Sequence, residues 1–193
     1  MKIVKIVLMV VSAFLLSSCS INNIPTYQED VKAKWAQVEN QYQRRAELIP
    51  NLVATVKGYA AHEKETLDAV ITARAKATSM TIPPDGLSPE LLAQYQANQN
   101  ALSSALSRLM VVVEKYPELK ANQNFLSLQS QLEGTENRIA VARRDYIEAV
   151  RIYNTELKTY PGKIWHAILY SEYKPEPVFD VPAEVEKAPE VKF

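Results

Sequence analysis

The chain has 193 residues, of which 47% are hydrophobic and 23% are charged. This composition is typical of a folded globular protein and excludes disorder throughout the chain. Lysine and arginine together number 22, as do aspartate and glutamate, so the formal net charge is zero and we expect no binding to nucleic acid. A single cysteine excludes an internal disulfide, and with two histidines it supplies too few ligands for the usual structural zinc site.

Residues 1–18 predict a secretory signal peptide. A basic start with Lys2 and Lys5 is followed by an apolar run from Ile6 to Leu16. As a helix this run would be about 16 Å long, roughly half the thickness of the hydrocarbon core of a bilayer. It is therefore short for a transmembrane helix, and its length and flanks favour a leader peptide.

The leader ends in Leu16-Ser17-Ser18 followed by Cys19, a pattern that resembles the lipobox of bacterial lipoproteins. Small side chains fit a narrow protease pocket, and the thiol that follows can carry a diacylglycerol thioether. Several acyl chains on one residue anchor a protein much more firmly than a single chain does. We therefore predict that Cys19 is the lipid attachment site. The alternative is a buried free cysteine.

A lipidated Cys19 predicts a location as well as an anchor. Residues 19–26 would form a lipidated linker, and the membrane would be a partner through the acyl chains. In lipoproteins of this kind a serine directly after the cysteine resembles a sorting signal for the outer membrane. Ser20 stands at that position here. The expected location is therefore the cell envelope, at the outer membrane and facing the periplasm.

The body of the chain predicts an all-α fold, because long stretches between prolines are rich in good helix formers. The first stretch runs from Tyr27 to Met80 and keeps its apolar residues in phase at heptad spacing across Pro50. We expect a kink at Pro50, although a full reversal there would divide the stretch into two helices and give a four-helix bundle. Its heptad rows are Trp35, Tyr42, Ile49, Val56, Val70 and Ala77, and Val38, Leu52, Tyr59 and Ala73.

Two further long helices follow. Ser88-Pro89-Glu90 predicts the capped start of the second helix, and Asn122 the start of the third. Short connections between long helices favour an antiparallel bundle of three long helices within residues 27–173. The seams are Tyr95, Leu102, Leu109 and Tyr116, with Leu91, Ala105 and Val112 beside them, and Phe125, Leu132, Ile139, Tyr146, Tyr153 and Tyr160.

Two short segments complete the predicted domain organisation. Ile164 to Tyr170 is apolar enough to form a brief amphipathic helix, which we expect to cap the open end of the core. Residues 174–193 combine several prolines with an acidic excess and predict a mobile tail. Local docking of Val178 and Phe179 against the folded domain is the alternative.

Candidate chemistry is sparse. His62 and Glu63 begin a stretch similar to a metalloprotease helix, but Thr66 stands where a second histidine is needed. No nucleophile motif or phosphate loop is present in the sequence, and we predict neither catalysis nor a cofactor. Polar residues that interrupt the apolar seams favour buried pairs that fix helix register. These residues are Arg45, Glu63, Asn98, Thr135 and Glu156.

Several segments closely resemble the LemA family of bacterial membrane-anchored proteins. They are Arg44-Arg45-Ala46-Glu47-Leu48-Ile49-Pro50-Asn51-Leu52-Val53, Val56-Lys57-Gly58-Tyr59-Ala60, His62-Glu63, Ala73-Arg74-Ala75, Tyr116-Pro117-Glu118-Leu119-Lys120-Ala121-Asn122, Glu136-Asn137-Arg138-Ile139, Arg143-Arg144-Asp145-Tyr146 and Tyr153-Asn154. The resemblance implies an antiparallel helical bundle at a bacterial envelope and no established catalytic residues. Five family-typical positions are expected to form one buried polar network: Arg44, Glu63, Arg74, Arg143 and Asn154.

The sequence as a whole favours a non-catalytic envelope lipoprotein whose helical bundle binds another protein or acts as a scaffold. An enzyme or metal protein that uses Glu63 with His62 is one alternative. A carrier for a lipid or another small ligand is the other.

Overall fold

A computed structural model describes residues 20–80 and 87–179 of the chain. The predicted signal peptide, the lipobox residues Leu16, Ser17 and Ser18, and the lipid attachment site Cys19 lie outside these ranges. The Pro83-Pro84 turn and the acidic tail from Asp180 onward lie outside them too.

The all-α prediction is confirmed, because the described residues form six helices and no strands. Three of the helices are long and the last is short, as expected. The helices are α1 (Asn23–Tyr59), α2 (Lys64–Thr78), α3 (Pro89–Val113), α4 (Pro117–Lys120), α5 (Gln123–Lys158) and α6 (Gly162–Leu169).

The first helical stretch divides in two, but not at Pro50. Helix α1 continues through Pro50 to Tyr59, and the helix break falls at residues 60–63. The reversal considered at Pro50 is therefore wrong in position. The true break is hard to predict from the sequence, since residues 60–63 contain neither proline nor glycine, the usual helix breakers.

The chain divides into two compact units, and α1 and α5 contribute residues to both. Of the described residues, unit 1 comprises 20–39 and 141–176, and unit 2 comprises 40–80, 87–140 and 177–179.

Unit 2 is a bundle of four helical segments that run antiparallel to their neighbours. Hydrogen bonds link the residue before α2 to the turn after α3, through Glu63 and Tyr116. They also link the end of α2 to the first half of α3, where the Gln99 side chain donates to the Ala77 carbonyl. Hydrogen bonds between Tyr59 and Asn122 and between Arg45 and Glu136 orient α5 in the same way against α1. Division of the first stretch thus gives the four-helix arrangement, with its turn ten residues later than considered.

The heptad seams form the cores of both units. The unit 2 core includes Ile49, Leu52, Val56, Val70, Leu102 and Leu109, all fully buried. In unit 1, Trp35 packs edge-on against Tyr146 with ring centroids 5.3 Å apart. Two seam residues depart from the prediction, because Tyr59 is 43% exposed at the end of α1 and Tyr160 is 73% exposed beyond the end of α5.

Both predicted helix caps are confirmed. The Ser88 hydroxyl accepts a hydrogen bond from the backbone N–H of Leu91 at 3.1 Å. The side-chain oxygen of Asn122 accepts from the backbone N–H groups of Asn124 and Phe125. These bonds satisfy donors that the first helical turn leaves without partners, which explains why α3 and α5 begin where they do.

Helix α6 does not cap a core in the expected way. Ile164, Ile168 and Leu169 are 44%, 68% and 48% exposed, so its large aliphatic side chains face outward. The start of the segment predicted to be mobile is also held in place. Tyr153 donates to the carbonyl of Lys174, and Asn154 exchanges two hydrogen bonds with the backbone of Glu176.

Candidate functional site

A buried arginine cluster lies in unit 2. The side chain of Arg45 is 1% exposed and donates to the Glu136 carboxylate at 2.8 Å and to the Ser103 hydroxyl at 2.8 Å. Its second terminal nitrogen donates to the side-chain oxygen of Gln99 at 2.6 Å and to the Gln99 carbonyl at 3.3 Å. Residues of α1, α3 and α5 therefore meet at one guanidinium group.

The cluster is asymmetric in its exposure to solvent. Glu136 is 46% exposed, whereas Arg45 and Gln99 are buried. The guanidinium also lies 5.1 Å from the ring centroid of Tyr42, which adds a cation–π contact. Its Nε atom is buried without a hydrogen-bond partner. The positive charge is thus compensated by one carboxylate at the edge of the cluster and by neutral groups elsewhere.

The buried arginine is Arg45, whereas the network predicted from the sequence contains its neighbour Arg44. Arg45 interrupts the row of Val38 and Leu52, and that position indicated burial. Arg44, assigned to the predicted network, is exposed. Gln99 was missed because its row, formed with Leu92, Leu106 and Val113, lies one residue from the row chosen for α3. The signal that could have identified Gln99 is the seven-residue spacing of the apolar residues in this row.

Glu63, Arg74 and Asn154, three of the other predicted network residues, contact different partners. In unit 2, Glu63 accepts a hydrogen bond from the Tyr116 hydroxyl at 3.0 Å, while Arg74 donates to a backbone carbonyl. In unit 1, Asn154 fixes the backbone of Glu176, and Arg143 is half-buried. Within unit 2 the polar network is therefore built around Arg45 rather than around these residues.

Glu63 serves as a partner for a tyrosine at the helix turn. Its carboxylate raises the pKa of Tyr116, chiefly through the hydrogen bond that it accepts. His62 beside it is exposed and lies in the turn rather than on a helix. Within residues 20–80 and 87–179, no group of three or more histidine, cysteine, aspartate or glutamate side chains is placed to hold a metal ion.

Arg74 explains how α1 continues through Pro50. A proline has no backbone N–H, so the carbonyl of the residue four positions earlier, Ala46, loses its helical partner. The Nε atom of Arg74 donates to this Ala46 carbonyl at 2.8 Å. Packing of α2 against α1 thus replaces the hydrogen bond that Pro50 removes, which local sequence alone does not reveal.

We expect Arg74 and Pro50 to be energetically coupled. Arg74→Ala should lower the free energy of unfolding by about 1–2 kcal/mol in the native chain, because it leaves the Ala46 carbonyl without a partner. In a Pro50→Ala background the new N–H binds that carbonyl, so the same substitution should cost less than half as much. A double-mutant cycle by urea unfolding measures the difference.

Lys76→Ala is the matched control, since Lys76 is exposed on the same helix as Arg74. It should have equal effects in both backgrounds. Equal costs of Arg74→Ala with and without Pro50 would contradict this explanation of the proline.

One groove of unit 2 adjoins the arginine cluster. It has a volume of about 380 Å³ and lies between α3 and α5. The groove is open and mixed in character, with the Arg45 partners Ser103 and Glu136 in its wall. Its lining residues are Ser103, Leu106, Ser107, Met110, Gln129, Leu132, Glu133 and Glu136.

Within unit 1, hydrogen bonds connect the first described residues to α6 and the residue that follows it. The indole Nε1 of Trp165 donates to the Ser20 hydroxyl at 3.2 Å, and the Tyr170 hydroxyl donates to Asn22 at 3.4 Å. Asn23 donates to Glu156 near the end of α5 at 3.1 Å. The residue directly after Cys19 is therefore already in contact with the folded unit.

Buried and half-buried ionisable groups in unit 1 have shifted pKa values. Burial raises the pKa of Glu176, an effect that nearby Lys32 opposes, and burial likewise raises the pKa of Glu39. Tyr146 and Tyr153 have raised pKa values, first because of burial and then because of the negative charge of Glu176. Both tyrosines therefore stay neutral hydrogen-bonding groups at physiological pH.

Comparison with known proteins identifies the family. The model of the LemA family matches residues 34–193, which is most of the chain. The chain belongs to the LemA family. This confirms the resemblance drawn from the sequence motifs, of which the Arg45 and Pro50 segment proves to hold the buried cluster and the compensated proline.

Individual relatives are more distant. The chain is 29% identical over 158 residues to magnetosome protein MamQ 1 of Paramagnetospirillum magneticum, an alignment that covers 72% of this chain and 58% of that protein. It is 24% identical over 140 residues to protein LemA of Metamycoplasma hominis, with 72% of this chain and 60% of that protein covered. The LemA-family chain thus spans about three fifths of the length of these relatives.

Proposed function

We propose that this LemA-family protein is a non-catalytic lipoprotein of the cell envelope, anchored through Cys19, whose helical domain binds or organises other envelope proteins. The domain would face the periplasm from the outer membrane. Helices of the described residues offer no membrane span of their own, since none of them is long and apolar enough to cross a bilayer.

The observation that carries the anchoring proposal is the contact of Ser20 with Trp165. The lipobox pattern ends at Cys19, and the next residue accepts a hydrogen bond from the folded unit. Signal cleavage before Cys19 would therefore leave the α1 start and its contacts intact. An acylated Cys19 would hold the domain close to the membrane surface rather than on a long tether.

The arginine cluster supports a structural rather than a catalytic domain. Its guanidinium is 1% exposed and occupied by Glu136, Gln99 and Ser103, so it is not accessible to a substrate. Glu63, the residue considered for metal or base chemistry, binds the Tyr116 hydroxyl. Both acidic groups thus serve contacts between helices.

The anchor is tested by the substitution Cys19→Ala. In growing cells fed a palmitate analogue with a clickable tag, the native chain should take up the label and fractionate with outer membranes. The variant should take up none, because it lacks the thiol that carries the diacylglycerol. Ser17→Ala is the matched control, since it keeps a small residue in the lipobox and should still be labelled. Equal labelling of native and Cys19→Ala chains would refute lipidation.

The interaction part needs a separate test. Crosslinking of the full chain in intact cells, followed by purification and mass spectrometry, should return the same envelope protein in independent experiments. Failure to recover a reproducible partner from cells in which the anchor is confirmed would contradict the proposed role in binding.

A further inference from the structure

The outward face of α6 is apolar. Ile164 and Ile168 are four residues apart, so they lie one above the other on the same side of the helix. They are 44% and 68% exposed, and Ala167 beside them is exposed as well. Gly162 is buried and Trp165 is half-buried, which places the packed side of α6 away from the two isoleucines.

The flanks of this face have the chemistry of a membrane interface. Tyr160 is 73% exposed just before α6, and the Lys163 ammonium lies 5.9 Å from the centroid of its ring. Helix α6 contains no acidic residue. Tyrosine and lysine at the edge of an apolar helix face suit the boundary between acyl chains and headgroups, where lysine also attracts anionic lipids.

Position in the chain identifies the occupant of this face. Trp165 binds Ser20, and Ser20 directly follows Cys19. Consecutive Cα atoms are about 3.8 Å apart, so a lipid attached to Cys19 begins next to α6.

We propose that the α6 face, formed by Ile164, Ala167 and Ile168 with Tyr160 and Lys163 at its edge, inserts into the lipid headgroup region beside the anchor. This inference rests on the proposed attachment of the chain to a membrane at its amino terminus. The face acts as a second contact with the bilayer, in the manner of an interfacial amphipathic helix. It fixes the orientation of unit 1 on the membrane, which a single acylated residue does not do.

Photocrosslinking to lipid tests the insertion. The full chain is produced in cells, purified with its anchor and reconstituted in vesicles of phosphatidylethanolamine and phosphatidylglycerol that contain a phospholipid with a diazirine in its acyl chain. After irradiation, mass spectrometry should find lipid adducts on residues 160–169. Val111 on α3 is the internal reference, because it is 69% exposed and equally aliphatic. Equal labelling at Val111 and α6, or no labelling of α6, would overturn the proposal.

Variants sharpen the result. Ile164→Asp combined with Ile168→Asp should reduce lipid adducts on residues 160–169 roughly tenfold, because two charged side chains replace apolar groups at the interface. Val111→Asp should leave them unchanged. The single variant Ile168→Asp, at the more exposed position, should give a partial loss with an unaltered circular dichroism spectrum. Adducts that persist in the double variant would contradict insertion through this face.

The same experiment separates the other occupants and the anchor itself. Crosslinks from α6 to a second copy of the chain or to another protein, in place of lipid, would overturn the inference. A palmitate label on Cys19 without lipid adducts on α6 would sustain the anchor and refute the insertion. Lipid adducts on α6 without a palmitate label would sustain the insertion and refute lipidation of Cys19.

Discussion

Glu136→Ala is expected to destabilise the protein more than Arg45→Met, although Glu136 is the more exposed partner of the ion pair. Removal of Glu136 leaves the Arg45 charge 1% exposed, with only neutral partners at Gln99 and Ser103. The free energy of unfolding should fall by about 3 kcal/mol, the range found when one partner of a buried pair is removed.

Arg45→Met removes the buried charge and keeps most of the side-chain volume. The remaining carboxylate of Glu136 is 46% exposed and can be hydrated, so its charge costs little. The main loss is the partner of the buried Gln99 oxygen, and we expect a cost of about 1–2 kcal/mol. Which variant loses more stability thus depends on whether water can hydrate the charge that is left without its partner.

Urea unfolding followed by circular dichroism measures both costs. Arg44→Ala and Glu133→Ala are matched controls, because each replaces an exposed residue of the same charge on the same helix. Both should change the free energy of unfolding by less than about 0.5 kcal/mol. A larger cost for Arg45→Met than for Glu136→Ala would contradict the stated role of exposure in this ion pair.

Gly162→Ala is expected to displace the start of α6 from the end of α5. A Cβ atom at Gly162 would lie too close to the carbonyl oxygen of Glu156, and also 2.8 Å from its side-chain carboxylate oxygen. The backbone carbonyl is not free to rotate away, so the helix must move. We expect a cost of about 2–3 kcal/mol from this overpacking, concentrated in residues 160–170.

Hydrogen exchange measured by mass spectrometry localises this effect. Residues 160–170 of the Gly162→Ala variant should exchange faster than in the native chain. Gly58→Ala is the control, since a Cβ there meets no atom within 4 Å and α1 is helical at this position. That change should stabilise the helix by about 0.5–1 kcal/mol. Unaltered exchange around Gly162→Ala would show that α6 tolerates the added methyl group.

Much of the fold was predictable because its signals are local. Ser88 and Asn122 start helices by satisfying backbone donors within three residues of themselves, which a sequence shows directly. The heptad spacing of seam residues likewise identified most of the core, because helical periodicity alone brings residues seven apart to one face. The end of the third seam was wrong at Tyr160, since α5 ends at Lys158.

The candidate site was less predictable because it depends on partners far apart in the chain. Arg44 and Arg45 are adjacent and alike in chemistry, and only the phase of α1 against α3 and α5 decides which one is buried. A shift of one residue in the predicted row of α3 hid Gln99 for the same reason. Neighbouring residues on a helix differ by about 100° in direction, so an error of one position exchanges buried and exposed side chains.

The sequence by itself determined that this protein is a helical LemA-family chain with three long helices and capped starts, since propensity, capping and periodicity act over a few residues. Only the tertiary structure decided that α1 passes through Pro50, because Arg74 from another helix replaces the missing hydrogen bond at Ala46. It also decided that the isoleucines of α6 face outward. Periodicity shows that a helix has an apolar side, but the close approach of Gly162 to Glu156 determines which side packs against the protein.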